Sequence, residues 1–225
     1  MLLSFQDKTG VAEQSVTLRN LVIAGWTGRD AAALEKHIVE LEQLGVPRPS
    51  RTPIFYLASA SRPTTADSIE VLGEQTSGEA EYLLLQYNGV LWVGIGSDHT
   101  DRDLEVHGVA LSKQICEKPI GTHFWRYDEV APHWDALRLR SYATIAGAKV
   151  VYQDDSVAKM LDPIRLISLY AADGRLPEST LMFCGTVPVH GGIRPASRFE
   201  CELEDPVIGR RIRKAYDIKP LPLVS

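Results

Sequence analysis

The chain has 225 residues, of which 44% are hydrophobic and 24% charged, with a formal net charge of −5. That is enough chain for one large domain with its own core and no need of staples, and the acidic balance excludes the basic footprint of a nucleic-acid binder. Three widely spaced cysteines, Cys116, Cys184 and Cys201, form no C-x-x-C, which argues against a disulfide framework or thiolate zinc site and for a reducing cytosol.

The opening MLLSFQDKTG meets Gln and two charges too early for a signal-peptide core, and no run approaches the roughly 18 apolar residues of a membrane span. Residues 1–25 read as short strands around a turn, ending in SVTLRNLVIAG. A helix is predicted over 31–44: Asp30 is a good N-cap, AALEKHIVELEQL has helical spacing, and Gly45 with Pro47 stops it. VPRPSRTP is a Pro-rich connection into a strand, IFYLASA. The helix, held between GWTGRD and that connection, is placed to move as a lid over residues 26–45. Residues 80–97 read as two strands joined by Asn88-Gly89, a strong two-residue hairpin signal. From Asp128 to Tyr152 strands and loops alternate, with RLRSYATIAGAKVVYQ as a second hairpin. DSVAKMLDPIRLISLYAADG has a helical pattern, STLMFCG a strand pattern, and GTVPVHGGIRP is a Gly/Pro loop. The last third ends in strand-like SRFECELED and VIGRRIRKAY. Many hairpins with few helices predict a mixed α+β domain, predominantly antiparallel.

The first hairpin carries chemistry. With Asn88-Gly89 as a tight turn, Tyr87 faces Val90, Glu81 lies opposite Gly96 and Glu79 opposite Asp98. Side chains alternate along a strand, so these positions share one face, with cross-strand neighbours about 5 Å apart at Cβ. Three carboxylates converging on one spot repel and raise one another's pKa values. A divalent cation removes that conflict, and all-oxygen ligands favour Mg²⁺, Mn²⁺ or Ca²⁺ over zinc. An isolated E-x-E is most often a solvated strand end; the register with Asp98 brings the metal reading level with that one. On the predicted helix, His37 and Glu40 are i, i+3 neighbours. A carboxylate beside an imidazole orients it and raises its pKa, as a general base requires, although helix surfaces carry many such pairs without function.

In chain order these pieces resemble the fumarylacetoacetate hydrolase superfamily. The resemblance rests on a Gly-containing strand end, a lid with H-x-x-E and a Pro-rich link (AGWTGRDAAALEKHIVELEQLGVPRPSRTPIFYL), followed by EAEYLLL, GIGSDHTDRDLE, LSKQICEKPIG and YQDDSVAKMLDPIRLISLYAADGRLPESTLMFCGTVP. It covers about residues 21–210. It implies a mixed β-roll, mostly antiparallel, over 21–225, with residues 1–20 as a small N-terminal strand segment, and a homodimer. It implies metal ligands at Glu79, Glu81 and Asp98, a catalytic dyad of His37 and Glu40, and Lys113 as a further catalytic cation. Arg102 and Thr186 are implied near the substrate; His99, an imidazole beside the metal position that the family pattern lacks, is a substrate contact or, as strand-end histidines more commonly are, a packed one. The implied activity is a Mg²⁺-dependent (or Mn²⁺/Ca²⁺-dependent) hydrolase that cleaves a C–C bond in a small acylpyruvate or diketo acid through an enolate. A decarboxylase, lyase or isomerase of an oxo-acid at the same site, or a non-catalytic metal-stabilised binding protein, stands as the alternative. A nucleophilic hydrolase is disfavoured, since no G-x-S-x-G is present.

The sequence departs from the family pattern in several places. Ala58 stands where the family often has Lys, Glu105 replaces the usual Gln of the Arg-Asp-Leu-Gln pattern, the Asp expected after the Lys motif is replaced around Cys116, and the Gly-Thr-Pro loop is widened to GTVPVHGG. Retained metal positions with altered substrate-side residues predict a different substrate on retained chemistry.

Overall fold

The computed structural model describes residues 1–43 and 48–224, and the side chains of His37, Glu40 and Leu41 lie outside the described set. The chain opens with a hairpin, β1 (Leu2–Asp7) and β2 (Gly10–Ser15), then β3 (Asn20–Gly25) and α1 (Ala31–Gln43). Asp30 caps α1 as the sequence predicts, its Oδ1 accepting from the Ala32 and Ala33 amides at 2.9 and 3.1 Å; the stop signals Gly45 and Pro47 lie outside the described residues. Next come β4 (Ile54–Ala58), β5 (Pro63–Thr64), β6 (Ser68–Leu72) and β7 (Thr76–Ser77), then the central hairpin, β8 (Ala80–Tyr87) and β9 (Val90–Ser97). After β10 (Thr100–Asp101), two short helices follow, α2 (Arg102–Glu105) and α3 (Val109–Ile115), then β11 (Lys118–Pro119), β12 (His123–Arg126) and α4 (Tyr127–Val130). A second hairpin, β13 (Arg138–Ile145) and β14 (Ala148–Ser156), precedes α5 (Pro163–Tyr170), β15 (Thr180–Phe183), β16 (Arg198–Asp205) and β17 (Arg210–Leu221).

The described residues are thus mostly β with few helices. Eight strands form one sheet in the order β2-β1-β12-β9-β8-β15-β3-β4, and five form another in the order β14-β13-β16-β17-β6. Most pairings are antiparallel; β1–β12, β3–β15, β6–β17 and β5–β11 are parallel. The N-terminal hairpin joins the large sheet directly, because β1 pairs with β12.

Alternation along the strands divides the core in two. Val22, Tyr82, Leu84, Val93, Ile95 and Met182 face the small sheet, where they meet Leu139, Phe199, Leu203 and Tyr216. Leu21, Ile23, Leu83, Leu85, Phe124 and Phe183 face the other way and form a second cluster with Leu3 and Phe5. A Cβ on Gly94 would overlap the Phe124 ring, so β9 carries glycine where the aromatic ring crosses it.

Two predicted elements differ from the sequence reading. Residues 127–136 are helical, α4 running into a 3₁₀ segment (Ala131–Ala136), where alternating strands and loops were expected. Tyr127, Val130 and Trp134 recur at helical spacing and bury against the core, with Trp134 edge-on to Tyr82 at 5.0 Å. The helix read across 155–174 begins only at Pro163, after a single 3₁₀ turn at Val157–Lys159. Asp162 precedes proline, which disfavours the helical conformation there, and its side chain caps the Ile164 and Arg165 amides instead.

Candidate metal centre

The central hairpin folds in the predicted register. Asn88 and Gly89 both have positive φ (52° and 73°), the conformation of a type I′ turn whose twist suits a hairpin. Glu81 pairs with Gly96 and Tyr87 with Val90, and the Asp98 amide donates to the Glu79 carbonyl at 2.9 Å just beyond the strand ends. One carboxylate oxygen from each of Glu79, Glu81 and Asp98 lies within 4.8 Å of the others.

Glu81 is buried, and its hydrogen bond is with an amide, not a cation: Gly185 N donates to Oε2 at 2.7 Å. Burial, then the charge of Asp98, push its pKa well above the usual carboxylate range. Gly185 is needed for this contact. Its φ is +94°, and a Cβ would overlap the Thr27 hydroxyl. Asp98 is fully buried. Lys113 meets its Oδ2 and Lys118 lies 2.9 Å from its Oδ1. Burial opposes its ionisation, but the two lysines outweigh burial and hold it at about 2. Lys113 is buried too, yet Asp98, Glu79 and Glu81 carry its pKa upward. Lys118 is enclosed and faces a second cation, so burial lowers its pKa. Arg102 spans the rim, with Nε to Ser77 Oγ at 2.7 Å, Nη1 to Glu105 at 2.8 Å and Nη2 to Glu79 at 3.0 Å.

These residues suit a hard divalent cation. The donors are all carboxylate oxygens. Glu81 is repelled by its neighbours, and Asp98 Oδ1, though beside Lys118, accepts no well-aligned hydrogen bond. Cys116 and Cys201 are pushed up to about 11 and about 12 by burial, and Cys184 is likewise raised, so none offers a thiolate near neutral pH.

The substrate-side expectations resolve unevenly. Lys113 and Arg102 sit on the carboxylate cluster. Thr186 reaches it indirectly: its hydroxyl donates to the Ala80 carbonyl at 2.7 Å and accepts from Gln153 at 2.7 Å. Its proton is thus directed at the strand rather than at a ligand, and the contact ties the loop after β15 to β8. His99 is fully buried, with both ring nitrogens engaged. Tyr216 donates to Ser97 at 2.8 Å, so its oxygen accepts from His99 Nδ1 at 2.9 Å, leaving Nε2 to accept from Thr76 at 2.9 Å. No ring nitrogen is left for a substrate. The side chains of the predicted dyad, His37 and Glu40, lie outside the described residues.

Two residues at the site were not picked out from sequence. Lys118 is one; its only signal was the Lys-Pro-x-Gly stretch that follows α3. Tyr56 of β4 is the other, its phenol pKa raised by burial against the opposing charge of Lys113; nothing in IFYLASA marks it.

His99 gives a pH prediction. Burial, with Lys118 and Arg102 adding, pushes its pKa down to about 3. Unfolding releases it to an ordinary value near 6.5. Between those values the unfolded chain holds one more proton, so stability falls as pH falls, by about 1.4 kcal/mol per unit from this group. Urea unfolding at stepped pH should show that slope in the wild type and lose it in His99→Gln; equal slopes would refute the assignment.

Solved structures share this architecture. Crystal structures of Cg1458 match at 18% identity over 95% of this chain and 81% of that one, with a TM-score of 0.66. A 2-keto-3-deoxy-D-arabinonate dehydratase complexed with magnesium and 2,5-dioxopentanoate matches at 21% over 97% and 79%, TM-score 0.62. A yeast protein, ynq8, described as a fumarylacetoacetate hydrolase family protein, matches at 17% over 92% and 96%, TM-score 0.64. The fold is therefore that of the fumarylacetoacetate hydrolase family, as the motif order implied. Residues 24–216 match the family described as "Protein of unknown function (DUF2848)", and the chain belongs to it. No protein among the curated ones matches the sequence. No helix among the described residues is long and apolar enough to cross a membrane.

Proposed function

We propose that this chain is a divalent-cation-dependent enzyme of small oxo-acids, and within that class a hydrolase that cleaves a C–C bond in an acylpyruvate or diketo acid. The observation that carries the reading is the convergence of Glu79, Glu81 and Asp98 within 4.8 Å, on a fold whose magnesium complex with 2,5-dioxopentanoate is known from a dehydratase. These three carboxylates would hold Mg²⁺, or Mn²⁺ or Ca²⁺. Such an ion supplies Lewis-acid polarisation of a substrate carbonyl.

The chain's own residues do the rest. Lys113, held protonated by the carboxylates, keeps positive charge at the floor of the site, where it stabilises negative charge developing on a substrate oxygen. Thr186 and Gly185 fix the loop against β8 and so hold Glu81 in place. His37, oriented by Glu40 on α1, takes the proton of the attacking water. The large mixed sheet buries Leu83 and Leu85 of the hairpin in its second apolar cluster and so keeps the hairpin rigid. A second reading, a lyase that eliminates water or CO₂ without a hydrolytic step, is favoured by the dehydratase among the structural neighbours.

The test is a screen of the magnesium-loaded protein across acylpyruvates, oxaloacetate and 2-keto-3-deoxy sugar acids, read for pyruvate, CO₂ and dehydration product. Pyruvate release from an acylpyruvate is expected, slowed at least about 10²-fold in His37→Ala with cation binding intact. Elimination alone would move the assignment to the lyase, and no turnover anywhere would contradict both.

A further inference from the structure

The carboxylate cluster has a closed floor and an open rim. Asp98 and Lys118 are fully enclosed and Glu81 nearly so, whereas the side chains of Glu79, Arg102 and Glu105 are 18%, 15% and 24% exposed. A ligand therefore meets Glu105, Glu79 and Arg102 first. Each nitrogen of Arg102 is already engaged, by Ser77, Glu105 and Glu79. Arg102 and Glu105 open and close one helical turn, α2, whose start is fixed by Asp101 capping the Leu104 amide at 3.0 Å. Their pairing is thus built into the local backbone. Glu105 gives Oε2 to Arg102, and among the described residues nothing donates to its Oε1.

We infer that Glu105 selects a substrate with a single carboxylate, whose far end presents a hydrogen-bond donor such as a hydroxyl. The inference rests on the oxo-acid reading above and deepens it. A second substrate carboxylate approaching Arg102 would lie against both Glu79 and Glu105, and like charges in a partly desolvated site repel strongly. A hydroxyl meets the free oxygen of Glu105 instead.

The charge balance agrees. Glu79, Glu81, Asp98 and Glu105 oppose Arg102, Lys113 and Lys118, leaving one negative charge. A divalent cation reverses it to one positive charge, the complement of one carboxylate.

The experiment is calorimetric titration of the magnesium-loaded protein with two probes of equal chain length, 5-hydroxy-2-oxopentanoate and 2-oxoglutarate. The wild type should bind the hydroxy acid at least about tenfold more tightly. Glu105→Gln should shift the ratio of affinities toward 2-oxoglutarate by at least about tenfold, and Glu105→Ala should shift it the same way, which covers a poorly folding amide variant. Equal or tighter wild-type binding of 2-oxoglutarate overturns the inference, as does a ratio unmoved by both substitutions, while leaving the oxo-acid reading intact. Binding of neither probe overturns that reading, and this inference with it.

Discussion

Asp98→Ala is expected to lower the stability of the cation-free protein by about 3–5 kcal/mol, the usual consequence of breaking a buried ion pair on one side. Two lysines converge on this carboxylate, and Lys118 is wholly enclosed. Without Asp98, Lys118 keeps only the His99 carbonyl as a hydrogen-bond acceptor among the described residues. Lys113 keeps Glu79 at 3.8 Å. The substitution should therefore act on folding and on cation binding together. Urea denaturation checks the first and the thermal shift on adding Mg²⁺ the second. Near-wild-type stability would show that the lysines do not depend on Asp98. Lys118→Met in the same background should recover part of the loss, because the uncompensated charge is then gone.

Glu81→Gln should have the opposite effect on folding and the same effect on the cation. Its carboxylate is buried, repelled by Asp98 and Glu79, and held mainly by the Gly185 amide. Its pKa is raised on folding, so the ionised form opposes folding at pH values above the unfolded carboxylate value, and that cost vanishes once acid protonates both states. The amide keeps an oxygen to accept from Gly185 and removes the charge. The cation-free variant should gain about 1–3 kcal/mol at pH 7, shrinking to nothing near pH 4, and should lose the stabilisation by Mg²⁺. A variant less stable than the wild type at pH 7 would mean that Glu81 is better compensated than its contacts show.

The central hairpin was legible in the sequence because its determinants are local. Asn88-Gly89 sets the turn, the turn sets the register, and the register brings Asp98 beside Glu79 and Glu81. Asp30 was legible as a cap for the same reason. Lys118 was not, because its place depends on long-range pairing: β11 lies parallel to β5, and Ile120 bridges to Gly96. Nothing near Lys118 announces that it will share a carboxylate with Lys113. For His99 the sequence leaves a substrate contact and a packed strand-end histidine both open, and the structure has the packed one. Neighbours on an extended chain point to opposite sides, and the partners that enclose His99, Thr76 and Tyr216, come from distant segments. Glu105 was visible as a departure from the family pattern, but its pairing with Arg102 shows only once the helical turn α2 is in place.

The central claim is that Glu79, Glu81 and Asp98 form one divalent-cation site. Calorimetric titration of Mg²⁺ and Mn²⁺ into the wild-type protein and into Glu81→Gln tests it most directly. A single saturable site per chain in the wild type, absent from Glu81→Gln at the same protein concentration, is the predicted result. No saturable binding in the wild type, or identical isotherms for the two proteins, would contradict it.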